Sequence, residues 1–89
     1  MPELSRFRGI VITMYPEPGI PHHNQHFHAR YAESKAVYGI APVALISGWM
    51  PGPQEVLVVE WAEQHQSELK ENWARLQRGE RALPIDALP

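Results

Sequence analysis

From Phe7 to Tyr15 apolar and polar positions alternate. Ile10, Ile12 and Met14 fall on one side, and Val11, Thr13 and Tyr15 on the other. That period of two is the signature of a strand. The run is rich in β-branched residues and stops at Pro16-Glu17-Pro18-Gly19, where proline has no N–H for a ladder. Three more strands are predicted. Gln25–Tyr31 puts Phe27, Ala29 and Tyr31 on one face, Lys35–Ile40 follows a turn at Glu33-Ser34, and Val43–Met50 follows a turn at Ala41-Pro42. Such short connections favour an antiparallel meander for the last three.

Beyond Met50 the period changes. Leu57, Trp61, His65, Leu69, Trp73 and Leu76 recur every three or four residues, one stripe of a helix. Gly52 and Pro53 suit its start and Gly79 its stop. Early glutamates (Glu55, Glu60, Glu63), late arginines (Arg75, Arg78) and the Glu71–Arg75 spacing all suit the helix dipole and an i,i+4 pair. One helix from Pro53 to Arg78 would be roughly 39 Å long, against an expected radius of gyration of about 12 Å. The reading therefore favours a kink or split near residues 64–67, where Glu63–Glu68 are all polar, over a long helix packed on a second subunit. The expected fold class is α+β: a small, mainly antiparallel four-stranded sheet with a C-terminal helical segment on one face. Residues 1–89 form a single domain, with a β-rich half (1–50), a helical half (52–79) and a tail (80–89). Leu57, Val58, Trp61, Leu69 and Trp73 should meet Ile10, Ile12, Phe27 and Tyr31. Trp49 reads as core, Trp61 and Trp73 as core or interface, and His65 as a satisfied, partly buried histidine.

The composition narrows the chemistry. Eighty-nine residues suffice for one domain of modest stability. Eight Lys and Arg against ten Asp and Glu leave a formal charge of −2, which argues against a general polyanion or DNA binder. No cysteine is present, so disulfides, thiolate metal sites and a cysteine nucleophile are excluded. Residues 1–8 lack the pattern of a signal peptide, and no apolar run approaches the ~20 residues of a membrane span. The expectation is a cytoplasmic protein that does not enter membranes.

The informative cluster is His22, His23, His26 and His28. On a strand, alternation sets His26, His28 and Arg30 on the face opposite Phe27, Ala29 and Tyr31, with neighbours ~6.5–7 Å apart. Three readings follow. The face carries strand residues with no special task. Or His22, His26 and His28 ligate a divalent metal such as zinc, nickel or copper. Or His26 and His28 act as acid and base on a phosphodiester, with Arg30 stabilising the phosphorane, in ribonuclease-like chemistry that is metal-independent or metal-assisted. Arg6 and Arg8 either extend a cationic patch with Arg30 or are simply solvated.

Leu4-Ser5-Arg6-Phe7, Gly9-Ile10, Met14-Tyr15, His26-Phe27-His28 with Tyr31, Glu60-Trp61, His65, Leu69, Asn72-Trp73 and the closing Ile85–Leu88 together resemble the bacterial family called domain of unknown function 4160, along nearly the whole chain. The family's loop before its His-Phe-His has an acidic residue, a histidine and a proline pair. His22 matches that histidine by position, whereas Pro21 replaces the acid and Asn24-Gln25 replace the prolines, which weakens any role that needs the carboxylate. Members resemble small proteins encoded beside another small domain, as toxin–antitoxin pairs are. The resemblance thus implies a protein partner and an RNA-directed role, with a metal-binding protein and a homodimeric structural domain as the alternatives.

Overall fold

A computed structural model describes residues 3–16 and 25–89. They form β1 (Glu3–Phe7), β2 (Ile10–Thr13), β3 (His26–Tyr31), β4 (Ser34–Gly39), β5 (Leu45–Gly48), α1 (Gly52–Gln64) and α2 (Gln66–Gln77). The strands lie in sequence order in one antiparallel sheet. The α+β class is as expected, with five strands in place of four. The expected strand Phe7–Tyr15 in fact runs through a hairpin: Phe7 ends the first arm, β1, and Ile10–Thr13 is the second, β2. Its turn is Arg8-Gly9, with φ of 50° and 79°. Two-residue hairpin turns need left-handed backbone, and the usual signal is Asn-Gly or Asp-Gly. Arginine in the first place hid the turn, and Leu4 and Phe7 of the preceding arm are buried.

The helical segment divides at His65, inside the window expected for a split. His65 leaves helical geometry (φ −124°, ψ 26°), its N–H donates to the Ala62 carbonyl at 3.1 Å, and its carbonyl accepts from Leu69 N–H at 2.9 Å. α1 and α2 are therefore separate helices, and the molecule has a radius of gyration of 12.0 Å. At the far end Gly79 and Glu80 N–H donate to the carbonyls of Leu76 and Arg75, at 3.0 and 2.8 Å, closing α2 with a Schellman pattern.

The core lies between the helices and the sheet face that carries Phe7, Ile10, Ile12, Met14, Phe27, Ala29, Ala36, Tyr38 and Ile40. Trp61 is its centre, with ring centroids 5.6 Å from Phe7 and 5.9 Å from Phe27. Val58, Leu69 and Trp73 are buried as expected, while Leu57 and Tyr31 pack at the margin. Trp49 departs from expectation. It is 64% exposed, because the chain leaves the sheet edge there before turning into α1. Residues 80–89 form no regular element, yet they are tied down. Asp86 carbonyl accepts the Trp61 indole N–H (2.8 Å), Ile85 N–H donates to Leu4 carbonyl (2.8 Å), and Asn72 bonds both backbone groups of Leu83 (2.8 Å each).

Candidate functional site

The hydrogen-bond register sorts β3 into two faces. Phe27, Ala29 and Tyr31 sit opposite Tyr38, Ala36 and Ser34, and Ala29 and Tyr31 sit opposite Ile12 and Ile10, which places them on the core side. His28 and Arg30 therefore project from the other side. That side is a shallow depression of about 440 Å³ floored by Val11 and Val37 and bordered by Tyr15, His28, Arg30 and Lys35.

Two rungs cross this face. In one, Arg6 of β1 is opposite Val11, Val11 is opposite Arg30, and Arg30 is opposite Lys35. In the next, Thr13 is opposite His28, His28 opposite Val37, and Val37 opposite Ser47. Directly opposed residues have Cβ atoms ~4.5–5.5 Å apart, and like charges there are destabilising. Arg6 is balanced by Glu3, with Nη2–Oε1 at 2.8 Å and Nε–Oε2 at 3.2 Å. That hydrogen bond, with lesser help from the charges of Arg6 and Arg30, holds the Glu3 carboxyl below its ordinary value. Among the described residues no carboxylate lies within ion-pair distance of Arg30 or Lys35.

His26 and His28 are placed differently from one another. His28 is half-buried, with its ring 4.9 Å from Tyr15 and 5.5 Å from His26. His26 is only 8% exposed, and its ring lies 4.9 Å from Trp73 of α2. Four rings thus run in a row, Tyr15–His28–His26–Trp73, and only the first two border the depression. The sequence pictured His26 as part of an accessible surface. Its place at the start of β3, against the indole, closes it off instead. Arg30 is exposed. His22 and His23 lie outside the described residues. Among the described residues no group of three or more histidines, cysteines or carboxylates could hold a metal ion, and no helix is long and apolar enough to cross a membrane.

Sequence reasoning missed Lys35 and Tyr15 as site residues. Placing the β3–β4 turn at Glu33-Ser34 put Lys35 out of line with Arg30, whereas the real turn, Ala32-Glu33, pairs Tyr31 with Ser34 and Arg30 with Lys35. A left-handed Ala32 (φ 52°) is an unusual turn residue, so the register had no local signal. Tyr15 was already legible on the same side as Val11 and Thr13.

The family described as "Domain of unknown function (DUF4160)" matches residues 9–74 of the chain. No curated protein and no solved structure matches it.

Proposed function

This chain belongs to the DUF4160 family, and we propose that it is an RNA-directed module whose open sheet face grips a single-stranded phosphate backbone. The observation that carries the reading is the Arg30–Lys35 rung. Two cations face each other across a ladder with no carboxylate between them among the described residues. That arrangement costs stability in the absence of a ligand and gains it when an anion bridges the pair. Arg30 supplies a planar fork for two phosphate oxygens and Lys35 a compact charge. Tyr15 and His28, packed edge to face against each other, border the same depression. The net charge of −2 is compatible with this because three of the ten acidic residues, Glu55, Glu60 and Glu63, lie on α1, which carries no basic residue.

The arrangement supports recognition more than two-histidine cleavage. Acid–base work on one phosphodiester needs each imidazole to reach its own proton, and His26 is sealed against Trp73. In this reading His26 positions His28.

Anisotropy with a short fluorescein-labelled single-stranded RNA tests the proposal. Arg30→Gln should weaken binding by about tenfold at low salt, and the slope of log affinity against log salt should fall by roughly 0.7–1. Equal affinity for wild type and the Arg30→Gln/Lys35→Gln double variant would overturn it. In a toxin–antitoxin-like setting, expression of the chain without its partner should slow growth, and Arg30→Gln should relieve that.

A second reading, a divalent metal held by His26, His28 and His22, is favoured by one distance. Ring centroids 5.5 Å apart suit two imidazoles sharing an ion with ~2.0–2.1 Å bonds. Zinc titration of the purified chain decides it: raised thermal stability that His28→Ala abolishes supports the metal, and an unchanged melting curve removes it.

A further inference from the structure

The two edges of the sheet are built differently. β1 carries Glu3 and Arg6, and Leu4 carbonyl is taken by Ile85 N–H. Charges and cover of this kind are how proteins keep an edge from pairing. β5 has neither. From Ala36 to Gln54 no residue is charged. All four residues of β5 are exposed, including Leu45 at 45% and Ile46 at 52%, with Trp49 just beyond. An edge strand with large apolar side chains and no charge is a template for another strand.

Beside this edge runs a groove of about 620 Å³ between β5 and α1. Leu45, Val56 and Val59 give it an apolar floor, and Val56 is 65% exposed. Glu55, Glu60 and Glu63 line it as well. Val56, Val59, Glu60 and Glu63 follow the i, i+3, i+4, i+7 spacing of one helical face. Glu55 is fixed by the Tyr38 hydroxyl, which donates to its Oε2 at 3.0 Å. Among the described residues no basic side chain lies within ion-pair distance of Glu60 or Glu63.

We propose that β5 and this groove receive an extended basic segment of a partner protein, which adds a strand to the sheet. Its backbone pairs with β5, alternate apolar side chains rest on Leu45, Val56 and Val59, and its Lys or Arg side chains meet Glu60 and Glu63. Main-chain pairing supplies affinity and the pockets for alternate side chains supply specificity, as in other strand additions. Charge chooses the occupant. A second copy of this chain would bring a β5 with no basic residue, and would set the carboxylates of two α1 helices near one another without compensation. A basic strand satisfies both the apolar floor and the carboxylates. This surface lies on the helix side of the sheet, apart from Arg30 and Lys35, so the proposal does not depend on RNA binding.

The test uses the whole chain and two end-blocked synthetic peptides of alternating residues, one of valine and lysine, the other of valine and glutamate. Quenching of Trp49 fluorescence by iodide and calorimetric titration report binding. The lysine peptide should bind saturably and shield Trp49, and the glutamate peptide should not bind. Leu45→Lys and the Glu60→Gln/Glu63→Gln double variant, all at exposed positions, should each weaken the lysine peptide by about tenfold. Arg30→Gln should leave its affinity unchanged. Circular dichroism and a thermal melt establish that each variant is folded. Absence of saturable binding at roughly millimolar peptide overturns the proposal, as does undiminished affinity in both folded variants. A concentration-dependent dimer that Leu45→Lys breaks also overturns it, in favour of a second copy at this edge.

Discussion

Arg30 and Lys35 are proposed as functional residues because of what their opposition costs. Opposed cations on neighbouring strands destabilise the sheet by about 0.2–1 kcal/mol, so Lys35→Gln should raise the thermal midpoint of the unliganded chain at low salt. The gain should shrink as salt screens the pair, while RNA affinity falls. A Lys35→Gln chain that is less stable at every salt concentration would mean that the lysine has a structural role. Tyr38 works in the opposite sense. Burial first, then the hydrogen bond and charge of Glu55, push its phenol above the ordinary ~10. A group whose value is raised by folding contributes stability that is complete below its unfolded value and is lost as pH climbs past it. Tyr38→Phe keeps the ring stacked on Phe27 (centroids 5.7 Å apart) and removes the bond to Glu55. Urea unfolding near neutrality should show a loss of about 1 kcal/mol, and the decline of stability above about pH 10 should be shallower than in the wild type.

At the scale of elements, backbone geometry decides where strands begin and how they dock. Gly48 ends β5 with φ +83°, and a Cβ there would lie 2.2 Å from the Lys35 carbonyl oxygen. β5 can approach β4 this closely only because residue 48 has no side chain. Gly48→Ala should cost about 2–3 kcal/mol and peel β5 from the sheet. Hydrogen exchange should therefore quicken at Leu45–Gly48 first, and the lysine peptide should lose its site. Unchanged protection in that strand would show that β4 shifts to accommodate the methyl. The His65 break has a different origin. Six consecutive polar residues offer no apolar surface to carry a straight helix past the sheet, so the chain turns and α2 brings Leu69, Trp73 and Leu76 back to the core.

Across the whole molecule the charge is unevenly distributed, although Glu3 sits beside Arg6 and α2 mixes both signs. Arg6, Arg30 and Lys35 share the open side of the sheet, whereas α1 carries Glu55, Glu60 and Glu63 and no basic residue. A net charge of −2 averages these fields and conceals both. The C-terminal segment holds the two layers together, since Asn72 and Trp61 of the helices bond Leu83 and Asp86, while Ile85 N–H donates to the Leu4 carbonyl of β1. Asn72→Ala would leave two part-buried backbone groups of Leu83 without their side-chain partner. At about 1–3 kcal/mol for each unsatisfied group, it should be among the more damaging single substitutions in α2, measured by urea unfolding against Gln77→Ala at an exposed position of the same helix.

The sequence by itself determined the periods: strand alternation that sends Phe27 and Ala29 inward and Arg30 outward, the apolar stripe of the helical half, and a polar run where that half divides. These are local, because side-chain direction follows from a residue's own backbone and its near neighbours. Only tertiary structure decided which residues lie across from one another. The opposition of Arg30 and Lys35 depends on a turn with left-handed Ala32, the extra strand on left-handed Arg8, and the closure of His26 on a helix some forty-five positions away. Exposed Trp49 and the uncharged β5 edge belong to the same class. Their meaning comes from what lies beside them, and hydrophobicity read along the chain cannot separate an edge from a core.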